Sequence, residues 1–236
     1  MCGAFLLACV SQAKKPDLPQ GSGAAQQANP SLLPTTGASP NVQLTDAEII
    51  QIERDIAALG DADSARVDPA FRWIAARGRT TVPRLLQELA RDRLGGIGRA
   101  RILWLLGHAG TVEALPAILA ALYDPLYLVR TAAIDATSSF SDPRARAALV
   151  NLLMDRDPDI VIQSALRLGD RREPEAAGAL GKLLLRNEQG IRYAATRSLA
   201  RIGTPEARQI LRGHLSSESD DEVRTLIQAM VRSSNP

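Results

Sequence analysis

Residues 191–215 read IRYAATRSLARIGTPEARQILRGHL, and the later half of that stretch recurs upstream at a fixed interval of 31 residues. Ala207 repeats Ala176, Ala145 and Ala114. Leu211 repeats Leu180, Leu149 and Ile118, and Leu215 repeats Leu184, Leu153 and Leu122. Within each set the apolar residues stand at i, i+4 and i+8, which places them on one face of a helix. Pro143, Pro174 and Pro205 precede three of the alanines by two residues, and Val112 takes the matching place before Ala114. Self-similarity at this period predicts stacked helical units, an all-α solenoid, in place of a closed globule.

Composition agrees with that class. The chain has 236 residues, 45% of them hydrophobic but only 3% aromatic, the balance of Ala/Leu-rich helix packing. With 28 Lys and Arg against 26 Asp and Glu, the net charge is +2, which argues against tight binding of a phosphate backbone. Both cysteines, Cys2 and Cys9, precede the folded part, and the only histidines are His108 and His214. A disulfide, a thiolate metal site or an imidazole cluster in the fold is therefore not expected, nor is any cofactor. No run of about 20 apolar residues predicts a membrane-spanning helix.

Three segments follow from the order of residues: 1–9, 10–43 and 44–236. Residues 10–43 are rich in Pro, Gly, Ser, Ala and Gln, and such a composition cannot bury enough apolar surface to offset its ordering entropy. As a random coil it would reach roughly 30 Å. In 44–236, Thr45 and Glu48 form a capping box for a first helix ended by Gly60. Asp68-Pro69 is expected to open a second helix closed by Gly78, and Thr81 a third stopped by Gly95-Gly96. From Ile97 onward each unit has two helices, about five units in all. The second helix of a unit carries Val129-Arg130, Ile191-Arg192 or Val223-Arg224, and Asp124-Pro125 and Asp157-Pro158 stand before two of them as caps.

Asp-Pro, a Val-Arg pair, two small residues, Leu-Gly and Pro-Glu-Ala followed by leucines make a pattern that resembles HEAT repeats, in particular the short PBS-lyase HEAT-like form. Residues 191–215 follow it almost throughout, through Ile202-Gly203-Thr204-Pro205-Glu206-Ala207. Residues 129–154 follow it nearly as well, whereas in 157–185 Ile162 stands in for the arginine. The resemblance covers 97–231 firmly and 68–96 loosely, and it specifies fold far better than function. Separately, Leu6-Leu7-Ala8-Cys9 resembles the lipobox of bacterial lipoproteins, which implies cleavage after Ala8, acylation of Cys9 and an outer-membrane anchor facing the periplasm. The eight residues before Cys9 contain no Lys or Arg. Either a basic start lies upstream of Met1, or this is the ordinary apolar N-terminus of a cytoplasmic protein.

The HEAT resemblance puts the Val-Arg helices on the concave side, where partners bind. It implies that Arg130, Arg192 and Arg224 pair with an aspartate of a neighbouring unit. Arg99, Arg101, Arg197 and Arg201 fit that ladder less well and are the ligand-facing candidates, with Trp104 and Tyr193 as aromatic anchors. The alternatives are a solvated helix face and, for Trp104, a place in the core. No Gly-x-Ser-x-Gly, P-loop or His-Glu-x-x-His motif is present, and the repeated His-Glu pairs of HEAT-like hydroxylases are missing. The expectation is a non-catalytic adaptor that binds a protein partner. The alternative is a cytoplasmic HEAT-like protein that binds nucleic acid or assists a modification enzyme of the lyase kind.

Overall fold

The computed structural model describes residues 44–232. The lipobox-like segment, Cys9 and the whole tether, residues 10–43, lie outside the described residues. The first helix, α1 (Asp46–Ala58), begins as its sequence predicts. The Thr45 hydroxyl accepts from the Glu48 N–H, and the Glu48 carboxylate accepts from the Thr45 N–H at 3.0 Å.

The next two boundaries differ from expectation. Helix α2 (Ser64–Arg77) starts at Asp63, whose carboxylate accepts from the Ala65 N–H at 3.0 Å, and Pro69 sits inside it. The proline removes only a donor that would reach the carbonyl of Ala65, a solvent-exposed residue, so water can serve that carbonyl. The buried stripe Val67, Ala70 and Ile74 then holds the extra turn in place. A 3₁₀ turn (Gly78–Thr81) leads into α3 (Val82–Arg91), which stops at Asp92 in the left-handed region with φ of 51°. Gly95-Gly96 therefore opens α4 (Gly95–Ala109) and does not close α3.

Eight more helices follow: α5 (Leu115–Ala121), α6 (Tyr127–Thr137), α7 (Pro143–Asn151), α8 (Pro158–Asp170), α9 (Ala177–Leu183), α10 (Gln189–Ile202), α11 (Pro205–His214) and α12 (Asp221–Arg232). The twelve helices of the described residues form six antiparallel-type pairs, one more than the repeat count predicts, because α1 and α2 take the places of a pair although their sequence fits the period loosely. Odd-numbered helices stack in one row and even-numbered helices in the other. This is an α-solenoid.

The repeating alanines and leucines fill the space between the rows. Ala114, Ala145, Ala176 and Ala207 are fully buried, and Ile118, Leu149, Leu180 and Leu211 are at most 1% exposed. Each buried leucine contributes roughly 1.5–3 kcal/mol. In the even row small residues let backbones approach: a Cβ on Gly107 would stand 2.7 Å from Ala136 Cα, and one on Gly169 would stand 2.6 Å from Ser198 Cα. The closer approaches thus fall in the row that carries the Val-Arg helices, hereafter the inner row.

Candidate functional site

Each inner helix starts at a loop edge, and the arginines there are absorbed by the fold. Asp124 Oδ1 accepts from the Leu126 N–H while its Oδ2 accepts from Arg99 at 2.6 Å. Asp157 repeats the arrangement: Oδ1 accepts from the Asp159 N–H and Oδ2 accepts from Arg130 at 3.1 Å. One carboxylate thus caps its own unit and ties down the preceding one. Arg130 also donates to the carbonyls of Asp124 and Pro125, and Arg192 donates to those of Arg186 and Asn187.

The ladder departs from the expected pattern in three places. Arg192 pairs with Glu218 and not with an aspartate. Arg224 turns back to the carbonyls of Glu218 and Ser219 and to Asp221 within its own loop. In α8 the ladder position, four residues after the N-cap Asp157, belongs to Val161, which is fully buried; Ile162 is one place further on. Glu188 therefore lacks a partner from the preceding unit and pairs locally with Arg186 at 2.7 Å.

Glu218 is the most constrained of these carboxylates. Burial pushes its pKa up, but the Asp220 N–H, the Arg192 guanidinium and the His214 ring outweigh burial and hold it at about 2. His214 is accounted for by that contact, 3.1 Å from its Nε2 to Glu218.

Arg99 is thus a ladder residue, with Asp92 also 3.0 Å away. Arg101 donates to the carbonyls of Leu59 and Asp61, both at 2.7 Å, and so seals the α1–α2 turn against α4; burial lowers its pKa. Trp104 is half-buried. Its ring meets Phe71 at 4.8 Å and lies parallel to the exposed His108 ring at 5.2 Å, so it supports the packing of α2 on α4. Tyr193 packs partly against the core.

The middle of the inner face is different. Arg167 donates from Nε and Nη2 to Asp135 Oδ1 at 2.9 and 2.7 Å, linking α8 to α6. Its other nitrogen lies 3.5 Å from Asp170, and Asp170 also pairs with Arg201 of α10. Beside this chain of alternating charges Arg197 is exposed and has no ion-pair or hydrogen-bond partner among the described residues. Gln163, Leu166, Arg167, Asp170, Arg197 and Arg201 line an open depression of about 190 Å³ between α8 and α10. Gln163 is held there by the Tyr127 hydroxyl at 3.1 Å. Of the residues singled out in the sequence, the structure brings Arg197 and Arg201 together, with Tyr193 on the same helix; Arg99, Arg101 and Trp104 lie elsewhere. Arg167 was missed, and its spacing of three residues from Asp170 on one helix face was the available signal.

Among the described residues no group of His, Cys, Asp and Glu could hold a metal ion, and no helix is long and apolar enough to cross a membrane.

A family model described as HEAT repeats matches residues 82–168 and 155–231. Among solved structures, a designed armadillo repeat protein in complex with peptide (KR)4 is similar over 78% of this chain and 99% of its own, at 18% identity and a TM-score of 0.51. The complex of CpcE and CpcF of phycocyanin lyase from Nostoc sp. PCC7120 aligns over 77% of this chain and 98% of that one, at 21% identity and a TM-score of 0.41. No curated protein matches the chain.

Proposed function

The chain belongs to the HEAT-repeat family, and on that premise we propose that it is a non-catalytic scaffold whose inner face receives a segment of a protein partner. The observation that carries this reading is the depression between α8 and α10, where side chains of two neighbouring units converge and one cation is left without a partner. Arg99, Arg101, Arg130 and Arg192 on the inner helices are engaged with loop carbonyls and carboxylates, whereas this stretch has bonding capacity to offer. Partner interfaces favour arginine and aromatic side chains, and Tyr193 and Tyr127 flank the depression along the helices. A designed armadillo repeat protein of like fold is in complex with peptide (KR)4, an example of such a fold with a peptide bound.

A photo-crosslinking amino acid at Gln163, on the inner face, tests the reading against one at Gln209, exposed on the outer helix α11. Protein adducts are expected from the first and not from the second. Equal yields from both positions contradict it.

The second element of the proposal is a lipid anchor at Cys9 that holds the solenoid at the bacterial envelope, on the periplasmic side of the outer membrane. It is supported by Leu6-Leu7-Ala8-Cys9 and by the Pro/Gly/Ser-rich stretch that follows. Palmitate incorporation that disappears in Cys9→Ala is the expected result; an unmodified Met1 in the purified protein removes the anchor.

A further inference from the structure

We infer that the depression between α8 and α10 is a pocket for a single carboxylate side chain, an Asp or Glu of the bound segment, with Arg197 as its direct cation. The inference rests on the scaffold reading and specifies what that surface recognises.

The first observation is the order of charges. Asp135, Arg167, Asp170 and Arg201 alternate in sign from α6 across α8 to α10, each in contact with the next. Arg197 stands beside the end of that series, one helical turn before Arg201, and nothing among the described residues neutralises it. Three guanidinium groups therefore face two carboxylates. One further carboxylate completes the alternation and leaves the pocket neutral.

The second observation is the shape of the space. About 190 Å³ is smaller than the roughly 300 Å³ at the lower end for small-molecule and cofactor sites, but it suits one side chain. Leu166 supplies an apolar wall for the methylenes of Glu, and the Arg197 fork can take a carboxylate through two parallel N–H donors. Arg167 and Arg201 are held in place by Asp135 and Asp170, so little side-chain freedom is lost when the ligand arrives.

The same arrangement discriminates against other ligand classes. A nucleic-acid strand needs several unpaired cations along its path, whereas here Asp135 and Asp170 line the approach and a single guanidinium is free. A cationic side chain finds Asp170 already shared between two arginines.

The test follows the arginine Nε–Hε signals of the full chain by NMR while N-acetyl-glutamate methylamide is added, then its glutamine counterpart, inorganic phosphate and a single-stranded oligonucleotide. The expected result is a saturable shift at Arg197 and Arg201 with the glutamate probe and at least tenfold weaker response to the glutamine probe. Arg99 and Arg192 should stay still, and Arg197→Gln, with helicity unchanged, should abolish the response at Arg201. Equal response to the glutamate and glutamine probes, no saturable shift with either, or tighter and steeply salt-dependent binding of the oligonucleotide each overturns the carboxylate assignment. Crosslinking from Gln163 separates the two claims. Adducts that persist unchanged in Arg197→Gln leave the scaffold standing without the carboxylate pocket, whereas their absence in the unsubstituted chain removes the scaffold itself.

Discussion

Arginines at the loop edge of the inner helices and arginines in the middle of the same helices do different work, although the residue type and the repeat are shared. Arg99, Arg130 and Arg192 have side chains only 15%, 15% and 11% exposed, and each holds a carboxylate from the next loop. Arg167 and Arg201 are 39% and 43% exposed and trade carboxylates among themselves, with Arg197 left over. The difference arises from distance along the helix. Four or five residues after the N-cap, Arg99, Arg130 and Arg192 each reach an acid of the next unit's loop, and the last two also reach the carbonyls of their own loop. Further along, Arg167 and Arg201 reach only side chains across the groove, whereas Arg101 meets the carbonyls of the α1–α2 turn. Arginine-rich helices in such a stack therefore overstate the ligand-binding surface, because the loop edge uses its share to fix one unit on another.

The contrast is best broken at Arg192. Glu218 is 1% exposed, so Arg192→Ala strands a buried carboxylate beside His214 and should cost about 3–5 kcal/mol in urea unfolding. A loss below about 1 kcal/mol, the range of an exposed pair, would put this arginine in the same class as the groove residues.

Acid should probe the same contact. The Glu218 carboxyl titrates at about 2 in the fold against 4.5 for a free glutamate, so its contribution is complete above pH 4.5 and is lost as the pH falls towards 2. The protons are bound first by the unfolded chain, and stability should drop by roughly 3 kcal/mol over that interval. Comparing the chain with Glu218→Gln by denaturant midpoints at pH 6 and pH 3 isolates this component: the slope between them should be shallower in the variant.

Arg130→Ala removes a ladder pair whose acid, Asp157, is 28% exposed, and should cost a smaller ~1–2 kcal/mol by the same measurement. At the far end of the scale, Arg197→Gln should change stability by less than about 0.5 kcal/mol, the range of surface substitutions away from special features.

Much of this architecture could be read from residue spacing. The alanines and leucines at the 31-residue interval all lie between the rows, with Leu215 the one half-buried member, because burial is a property of position on a helix face and the period fixes that face. Boundaries were less legible. Asp68-Pro69 reads as a helix start, yet the helix begins at Asp63, because the Val67, Ala70 and Ile74 stripe finds a partner helix, a fact of tertiary packing. Val161 and Ile162 are interchangeable in a linear pattern and differ only in which one follows Asp157 by four. Side-chain pairing was the least legible. Arg101 was expected to meet a ligand and instead holds carbonyls more than 40 positions away in one case, at Leu59, and Asp61 beside it; no spacing rule carries that information. Arg197 and Arg201, by contrast, share a face one turn apart, so their convergence could be anticipated.

The most direct test places Arg197→Glu beside the unsubstituted chain and records urea unfolding together with adduct yield from the crosslinker at Gln163. Stability within about 0.5 kcal/mol of the original and adducts reduced at least tenfold are expected. Adducts at the original yield, or a large fall in stability from this exposed side chain, would contradict that expectation.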